Sequence, residues 1–438
     1  MLLAAGLTAC AHYTPAPLAS APPLANNVSA VTGLPDRPLS VDKVVALALA
    51  RDPELVAART RRGVSQAQIV QAGVLPNPSL TGALLPLISG AGTGPAWNLG
   101  LAQDIKALLV YRPKRRAARA AAAQIDADLL WQEWQVAGQA RQLAVDLIVR
   151  EQGRPLLDQA FGLLQRRYTV THAALAAGNA TLVTASPSTV GFQQARANLQ
   201  AAEQAQLQAR HRLNALLGLS PDVVVPLVKS LDLWPLDLAA ARASLPSLPQ
   251  RRPDLLALRF GYLLQDENFR AAILAQFPDF VLGGSVQSDS SDVINAGPNF
   301  SLGLPVFDRN QGNVAIARAT RAQLQAEYAA RLATTTGEVG ALLSEMEQLR
   351  TQLALVERDL PAARLAAQRA SAAFGNSLLD ERAYVDLITN RFAKEQEVLT
   401  LRLGLIDRQV AIEALIGAGL PSVDTLALTD PGTKGAAR

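Results

Sequence analysis

Apolar residues recur with two different periods along this chain, and the change from one period to the other divides it into elements. From Lys114 to Ala177, Val190 to Leu217, Val314 to Phe374 and Asp380 to Leu415 the spacing is helical, with breaks expected near Pro155 and Pro361. At a rise of about 1.5 Å per residue the first of these runs predicts a rod on the order of 90 Å, too long for the inside of a compact domain. Elsewhere the period drops to two. Strands are expected over Pro78 to Leu84, Ala96 to Ile105, Phe280 to Gln287 and Asn299 to Phe307. In the second of these Trp97, Leu99 and Leu101 alternate with Asn98, Gly100 and Ala102; in the fourth Phe300, Leu302 and Leu304 alternate with Ser301 and Gly303. An apolar face backed by a small or polar one is the pattern of a strand with lipid on one side and water on the other, and equally of any half-buried hairpin. The Gly-, Ser- and Asp-rich stretches Gly90 to Gly94 and Ser288 to Pro298 read as exposed loops between paired strands.

The order helix, two strands, long helix, turn, long helix occurs twice. Ser40 is a good N-cap, and Arg51-Asp52-Pro53-Glu54-Leu55 combines a capping Asp with Pro at the first helical position. The device returns as Arg251-Arg252-Pro253-Asp254-Leu255, and Pro53, Leu55, Ala57 and Arg59 match Pro253, Leu255, Ala257 and Arg259 at one offset. Pro76 with Pro278, Leu99-Gly100-Leu101 with Leu302-Gly303-Leu304, and Ala215-Leu216-Leu217-Gly218 with Ala414-Leu415-Ile416-Gly417 keep nearly that spacing. The chain is therefore read as a tandem duplication. Its repeats are 38–220 and 251–421, separated by an inter-repeat segment 221–250, preceded by a signal remnant 1–10 and a Pro- and Ala-rich linker 11–37, and followed by a disordered tail 422–438.

Composition fits this picture. Hydrophobic residues make up 49% while aromatics are 5%, so the apolar content is chiefly Ala and Leu, suited to long helices in close contact. Charged residues are 18% with a net charge of +4, and the signs interleave along the helical runs, which speaks for solvated faces and against nucleic acid. No apolar run reaches the roughly 18 residues of a membrane helix, so any spanning falls to strands. An open sheet edge in lipid is costly, and four strands are too few to close a barrel, for which about eight are needed; spanning would therefore require several copies of the chain.

Candidate chemistry is sparse. One cysteine excludes an internal disulfide, and His12, His172 and His211 lack metal-ligand spacing, so no metal or cofactor is expected. No phosphate loop, nucleophile elbow or paired-carboxylate site is visible, and the chain is not expected to be an enzyme. Lys114-Arg115-Arg116, after the second strand, reads as the end of an apolar band at a membrane surface. Cys10 follows Leu7-Thr8-Ala9, a run that resembles a bacterial lipobox, although only nine residues precede it and none is basic. A cysteine without a role is the bland alternative.

The succession of Leu75-Pro76-Asn77-Pro78-Ser79-Leu80, Arg252-Pro253-Asp254-Leu255, Phe277-Pro278 and Leu302-Gly303-Leu304-Pro305-Val306-Phe307-Asp308 resembles the TolC-type outer-membrane efflux protein family over residues 38 to 421. The resemblance implies a mainly α fold with membrane β. Duplicated long helical hairpins would form an α-barrel, and four strands per subunit would join a twelve-stranded β-barrel in a homotrimer. It further implies a periplasmic adaptor, an inner-membrane pump of the resistance-nodulation-division type, and an outer-membrane location with lipidation at Cys10. Asp308-Arg309-Asn310-Gln311-Gly312-Asn313 resembles members paired with heavy-metal cation exporters.

The mechanism so implied is passive conduction of small toxic solutes, with acids narrowing the tunnel where its helices meet. Asp386 is the first choice for such a gate, then Asp380 and Glu381; solvated acids favoured by a helix start are the plain alternative. The first half has the turn Gly178-Asn179-Ala180-Thr181 but no acid from Leu182 to Gly191, only Pro187. The lipid-facing candidates are Trp97, Leu99, Leu101, Phe300, Leu302 and Leu304. The competing expectation is a soluble periplasmic coiled-coil scaffold whose strands merely cover its end, and a carbonate wash of membranes separates the two.

Overall fold

The structure, a computed structural model, describes residues 13–18, 20, 24–33, 37–229 and 236–417. Cys10, the segment 1–10 and the tail 422–438 lie outside the described residues. The first repeat begins with α2 (Val41–Arg51), where Ser40 Oγ accepts the Lys43 N–H at 3.4 Å, and α3 (Pro53–Ala72), where Asp52 Oδ1 accepts the Leu55 N–H at 2.8 Å. A hairpin of β1 (Ser79–Leu85) and β2 (Ala96–Asp104) follows, then α4 (Ile105–Ala176) and α5 (Leu182–Leu216). Two short helices, α6 (Leu238–Ala243) and α7 (Leu248–Arg251), lead into α8 (Pro253–Leu274), β3 (Asp279–Ser288), β4 (Ile294–Gly303), α9 (Gln311–Gly375) and α10 (Glu381–Ile416). The duplicated order of elements and the mainly helical class expected from the sequence are both present.

The prolines do not interrupt the helices as expected. α4 continues through Pro113 and Pro155, α5 through Pro187 and α9 through Pro361. A proline removes one backbone hydrogen bond and crowds the preceding turn. In helices this long, packed along their sides, the remaining turns and lateral contacts carry the element past that loss. Consequently α5 starts at Leu182, eight residues ahead of the expected Val190, because Thr181 Oγ1 accepts the Thr184 N–H at 3.3 Å and caps it there.

The fourth strand is also displaced. It covers Ile294–Gly303 instead of Asn299–Phe307, leaving only residues 289–293 for the turn. Pro305 cannot donate to a ladder, and the Val306 N–H bonds back to Leu304 O at 2.8 Å, so extended pairing stops at Gly303. Pro298 lies inside this strand, at an outer edge of the chain's sheet. The segment read as an unstructured linker also differs: Asn27 caps α1 (Val28–Thr32), and Val28 and Val31 are buried with α2, α4 and α5.

The three largest apolar clusters among the described residues tie the helices together. One joins α1, α2, α4, α5 and residues 219–227; a second joins α4, α5, α9 and α10 near their turns; a third joins α6, α7, α8, α9 and α10. At the start of the second repeat Arg252, 1% exposed, forms a two-point ion pair with Asp254 at 2.9 and 2.7 Å. Arg331 of α9 reaches the same carboxylate at 2.8 Å, and both guanidinium groups lie over the Trp131 ring of α4. Burial works against the Asp254 charge, but the hydrogen bonds and charges of Arg252 and then Arg331 outweigh it and hold the carboxyl below its ordinary range.

Candidate functional site

The four strands form one antiparallel sheet in the order β1-β2-β3-β4, so the outer edges of β1 and β4 have no partner among the described residues. Residues directly opposite in an antiparallel ladder share a face. Leu80 faces Leu101 and Leu84 faces Trp97; Leu99 in turn faces Val286, which faces Ala296. Gln103 faces Leu282, which faces Phe300, and Phe280 faces Leu302. Trp97, Leu99, Leu101, Phe300 and Leu302 therefore lie on one apolar face together with Leu80, Leu84, Phe280, Leu282 and Val286. The opposite face carries Ser79, Thr81, Asn98, Ser285, Gln287, Asn295, Asn299 and Ser301, with Asp104 and Asp279 at its helical end. Leu304 stands apart from this set, because it is past the end of β4.

Strands and helices are joined tightly. Asp104 Oδ1 accepts the Ala107 N–H at 2.9 Å, so α4 starts where β2 stops, and Lys106 Nζ reaches Asp279 at 2.8 Å. Tyr111 donates to Gly73 O at 2.8 Å, and Gln103 Nε2 to Pro76 O at 3.2 Å. On the polar face Gly283 permits close approach: a Cβ there would fall 2.5 Å from Leu101 O and 2.6 Å from Asn299 Oδ1. After β4 the chain takes a longer path. Asp308 Oδ1 accepts the Asn310 N–H at 2.8 Å, Asn310 adopts a left-handed φ of 60° and its side chain donates to Ala272 O at 2.8 Å. The Asp308 to Asn313 motif thus serves at least to fold this connection.

At the far end of the helices, the α4–α5 turn uses Gly178 at φ 74°, with the Asn179 N–H bonded to Ala174 O. The α9–α10 turn uses Ser377 at φ 57°, with the Leu378 N–H bonded to Ala373 O. The three acids expected here have three different environments. Asp380 caps α10 by accepting the Ala383 N–H at 2.7 Å. Glu381 is nearly buried and forms a two-point pair with Arg167 of α4, whose guanidinium also lies 4.4 Å from the centre of the Phe374 ring. Asp386 is exposed, with Arg382 at 3.9 Å as its only ion-pair partner among the described residues. Arg167 escaped sequence reading because its partner is 214 residues away and no periodicity links them.

A second feature was not foreseen. Beside α4 lies an open cleft of about 960 Å³, lined in part by Gln135, Gln139, Asp146 and Arg150 of α4, Arg212 of α5 and Asp407 of α10. Burial, and next the neighbouring Asp146 carboxylate, push the Asp407 carboxyl up to about 6, against the weaker pull of Arg408 and Arg150. Among the described residues Asp407 Oδ1 has no hydrogen-bond partner, whereas Asp146 is tied to Arg150 at 2.8 Å. His172 Nε2 is 3.1 Å from Thr189 Oγ1, with its ring against Tyr168, and His211 is exposed. Among the described residues no group of three His, Cys, Asp or Glu is placed to hold a metal, and no helix is long and apolar enough to cross a membrane.

Comparison with known proteins agrees with this architecture. Residues 245–418 match the profile of the family described as Outer membrane efflux protein. The cation efflux system protein CusC of Escherichia coli K12 is 26% identical over 256 residues, 54% of this chain and 56% of that protein. The outer membrane protein OprJ of Pseudomonas aeruginosa is 28% identical over 343 residues, 74% of this chain and 68% of that protein. The chain thus spans about half the length of CusC, and rather more of OprJ. The Campylobacter jejuni CmeC outer membrane channel superposes with a TM-score of 0.71 over 88% of this chain and 87% of its own, at 17% identity, and so shares the fold.

Proposed function

We propose that this chain, which belongs to the outer membrane efflux protein family, is the outer-membrane subunit of a tripartite efflux system and a passive conduit for small toxic solutes. The observation that carries the reading is the sheet: one face mostly apolar, interrupted by Gln103 and Ser288, the other mostly polar or small, and both outer edges unpaired among the described residues. Such a sheet is stable in lipid only when its edges are closed by other copies, with the polar face turned to water. Three copies give twelve strands and continue as a helical tunnel, since α4 runs about 110 Å and α9 about 100 Å at a rise of about 1.5 Å per residue.

In this reading the chain does no covalent chemistry. A periplasmic adaptor and an inner-membrane pump of the resistance-nodulation-division type supply cargo and energy, and lipidation at Cys10 anchors the chain to the outer membrane. The apolar side chains Trp97, Leu99, Leu101, Phe300 and Leu302 contact lipid, with Leu304 just outside the strands. The turn between α9 and α10 lies at the closed end of the tunnel. There Asp386 is the acid exposed to permeating cations, while Asp380 and Glu381 hold the helix start and its link to α4. The names of its relatives include a cation efflux system protein and a toluene efflux pump protein, so metal cations and small organic solutes are the cargo classes to test first.

The test is membrane extraction followed by crosslinking. Outer membranes retain the chain through a carbonate wash, and a short amine-reactive crosslinker yields trimers. Release by carbonate as a monomer would overturn the conduit in favour of a soluble scaffold.

A further inference from the structure

Residues 105–125, the first turns of α4, contain six cations (Lys106, Arg112, Lys114, Arg115, Arg116 and Arg119) and no acid. Lys106 is held by Asp279, and Arg116 lies 3.7 Å from Glu267. Arg112, Lys114, Arg115 and Arg119 are exposed and have no carboxylate partner among the described residues. Elsewhere on the helices many cations are paired: Arg154 pairs with Glu203, Arg402 with Glu357 and Arg408 with Glu345, each at 2.7 or 2.8 Å. Arg196 and Arg369, which have no carboxylate partner among the described residues, stand apart from one another in sequence. Four unneutralised charges within eight residues repel one another, so their clustering calls for an external anion.

Their position says which anion. α4 leaves the sheet without a loop, so these residues stand roughly 10–20 Å beyond the last strand residue at a rise of about 1.5 Å per residue. Side chains on a helix lean toward its N-terminus, which here means back toward the sheet. One turn closer to the sheet, Leu108 and Leu109 are exposed on the same helix, and Phe307 is 92% exposed on the β4–α9 connection. Apolar groups thus give way to cations in the order in which a bilayer gives way from acyl chain to head group. The second repeat keeps part of the device: Arg318 and Arg321 stand as far beyond Gln311 as Arg112 and Arg115 beyond Ile105, though Arg321 is taken up by Asp266 and Tyr262.

We propose that Arg112, Lys114, Arg115 and Arg119 form a binding surface for the phosphate groups of anionic phospholipids in the leaflet that meets the helical end of the sheet. This rests on the membrane reading above. The surface fixes the depth at which the barrel sits and selects anionic over zwitterionic lipid.

The test uses the full chain reconstituted in vesicles of mixed phosphatidylcholine and phosphatidylglycerol. Carbonate resistance is measured on each sample, and retained lipid is identified after re-extraction in mild detergent. Wild type retains phosphatidylglycerol in excess of its share. The variant carrying Arg112→Gln, Lys114→Gln, Arg115→Gln and Arg119→Gln loses about fivefold of that preference, while a control with Arg196→Gln and Arg369→Gln, exposed positions away from the sheet, keeps it. The double variant Arg112→Gln with Arg115→Gln gives an intermediate loss and serves if the fourfold variant does not insert. Wild type that fails to resist carbonate sinks the conduit reading itself. Wild type that inserts without a lipid preference, variants that keep the preference, or inorganic phosphate that abolishes it at concentrations equal to the lipid's overturn the head-group surface alone.

Discussion

Pro53 and Pro253 each begin a helix at matching points of the two repeats, yet the corners they turn are held by different groups. In the first, Asp52 caps α3 through its own side chain, and Arg59 of the next turn ties Leu49 O to Glu133 of α4. In the second, Arg252 stands at the cap position and contributes no cap; it is buried in an ion-pair group with Asp254, Arg331 and Trp131. A local device in one repeat has become a long-range clamp in the other. The first corner stabilises its own helix, whereas the second joins α8, α9 and α4.

The largest effect should therefore come from the second corner. Asp254→Ala leaves two guanidinium groups without their acid, one of them fully buried, and is expected to cost about 3–5 kcal/mol. Asp52→Ala removes one cap and is expected to cost about 1 kcal/mol. Thermal unfolding of both variants beside wild type checks the difference, and equal losses would mean that the two corners do the same work.

Next in size is the contact between hairpins near the turns. Arg167→Ala removes the partner of Glu381 and the cation over the Phe374 ring, at an expected cost of about 2 kcal/mol. Hydrogen exchange should show the loss concentrated in the first turns of α10, with the start of α5 unchanged. Faster exchange spread evenly over both turns would erase the contrast between them.

Which of these features could be read in advance follows from the range of the interactions behind them. The strand faces were legible because Trp97, Leu99, Leu101, Phe300 and Leu302 carry their alternation locally, and the caps at Ser40 and Asp52 lie beside the helices they start. Cooperative packing was not legible: Pro155 and Pro361 read as breaks, but helices supported along their length absorb them. Nor were Arg167 with Glu381, or Arg331 with Asp254, because pairs formed by folding leave no mark on neighbouring positions. The β4 register was misplaced for a similar reason: Leu304 keeps the alternation, while Pro305 and the Val306 turn end the ladder before it.

A smaller effect distinguishes the hairpins by pH. Asp407 of the second faces Asp146 of the first, with Arg150 and Arg408 as the cations around it. Its carboxyl binds a proton more readily in the folded chain than in the unfolded one. Stability from this group is therefore present at low pH and lost as the pH rises from about 4 through about 6. Asp407→Asn should remove that slope and raise the stability at neutral pH by about 1 kcal/mol once solvent screening of a half-buried group is allowed for. Asp146→Asn should lower the Asp407 midpoint without removing the titration. Unfolding curves taken across this range separate the two variants, and an unchanged slope in Asp407→Asn would locate the titrating group elsewhere.

Asp386 should matter least for stability and most for what passes. It is exposed, and Arg382 is at the limit of an ion pair, so Asp386→Asn is expected to change stability by no more than about 0.5 kcal/mol. Counted from the caps Asp380 and Thr181, its counterpart in the first repeat is Pro187, so only one of the two turns presents an acid here. If that acid lines the conduit, Asp386→Asn lowers the permeability ratio of potassium to chloride in planar bilayers. Pro187→Glu, which supplies the missing acid, raises it. Glu381→Gln should instead act through stability, since its charge is already matched by Arg167. Were Asp386→Asn to leave the ratio unchanged while Glu381→Gln altered it, the exposed acid would be an ordinary solvated residue, and the difference between the turns would lie in the Arg167 contact.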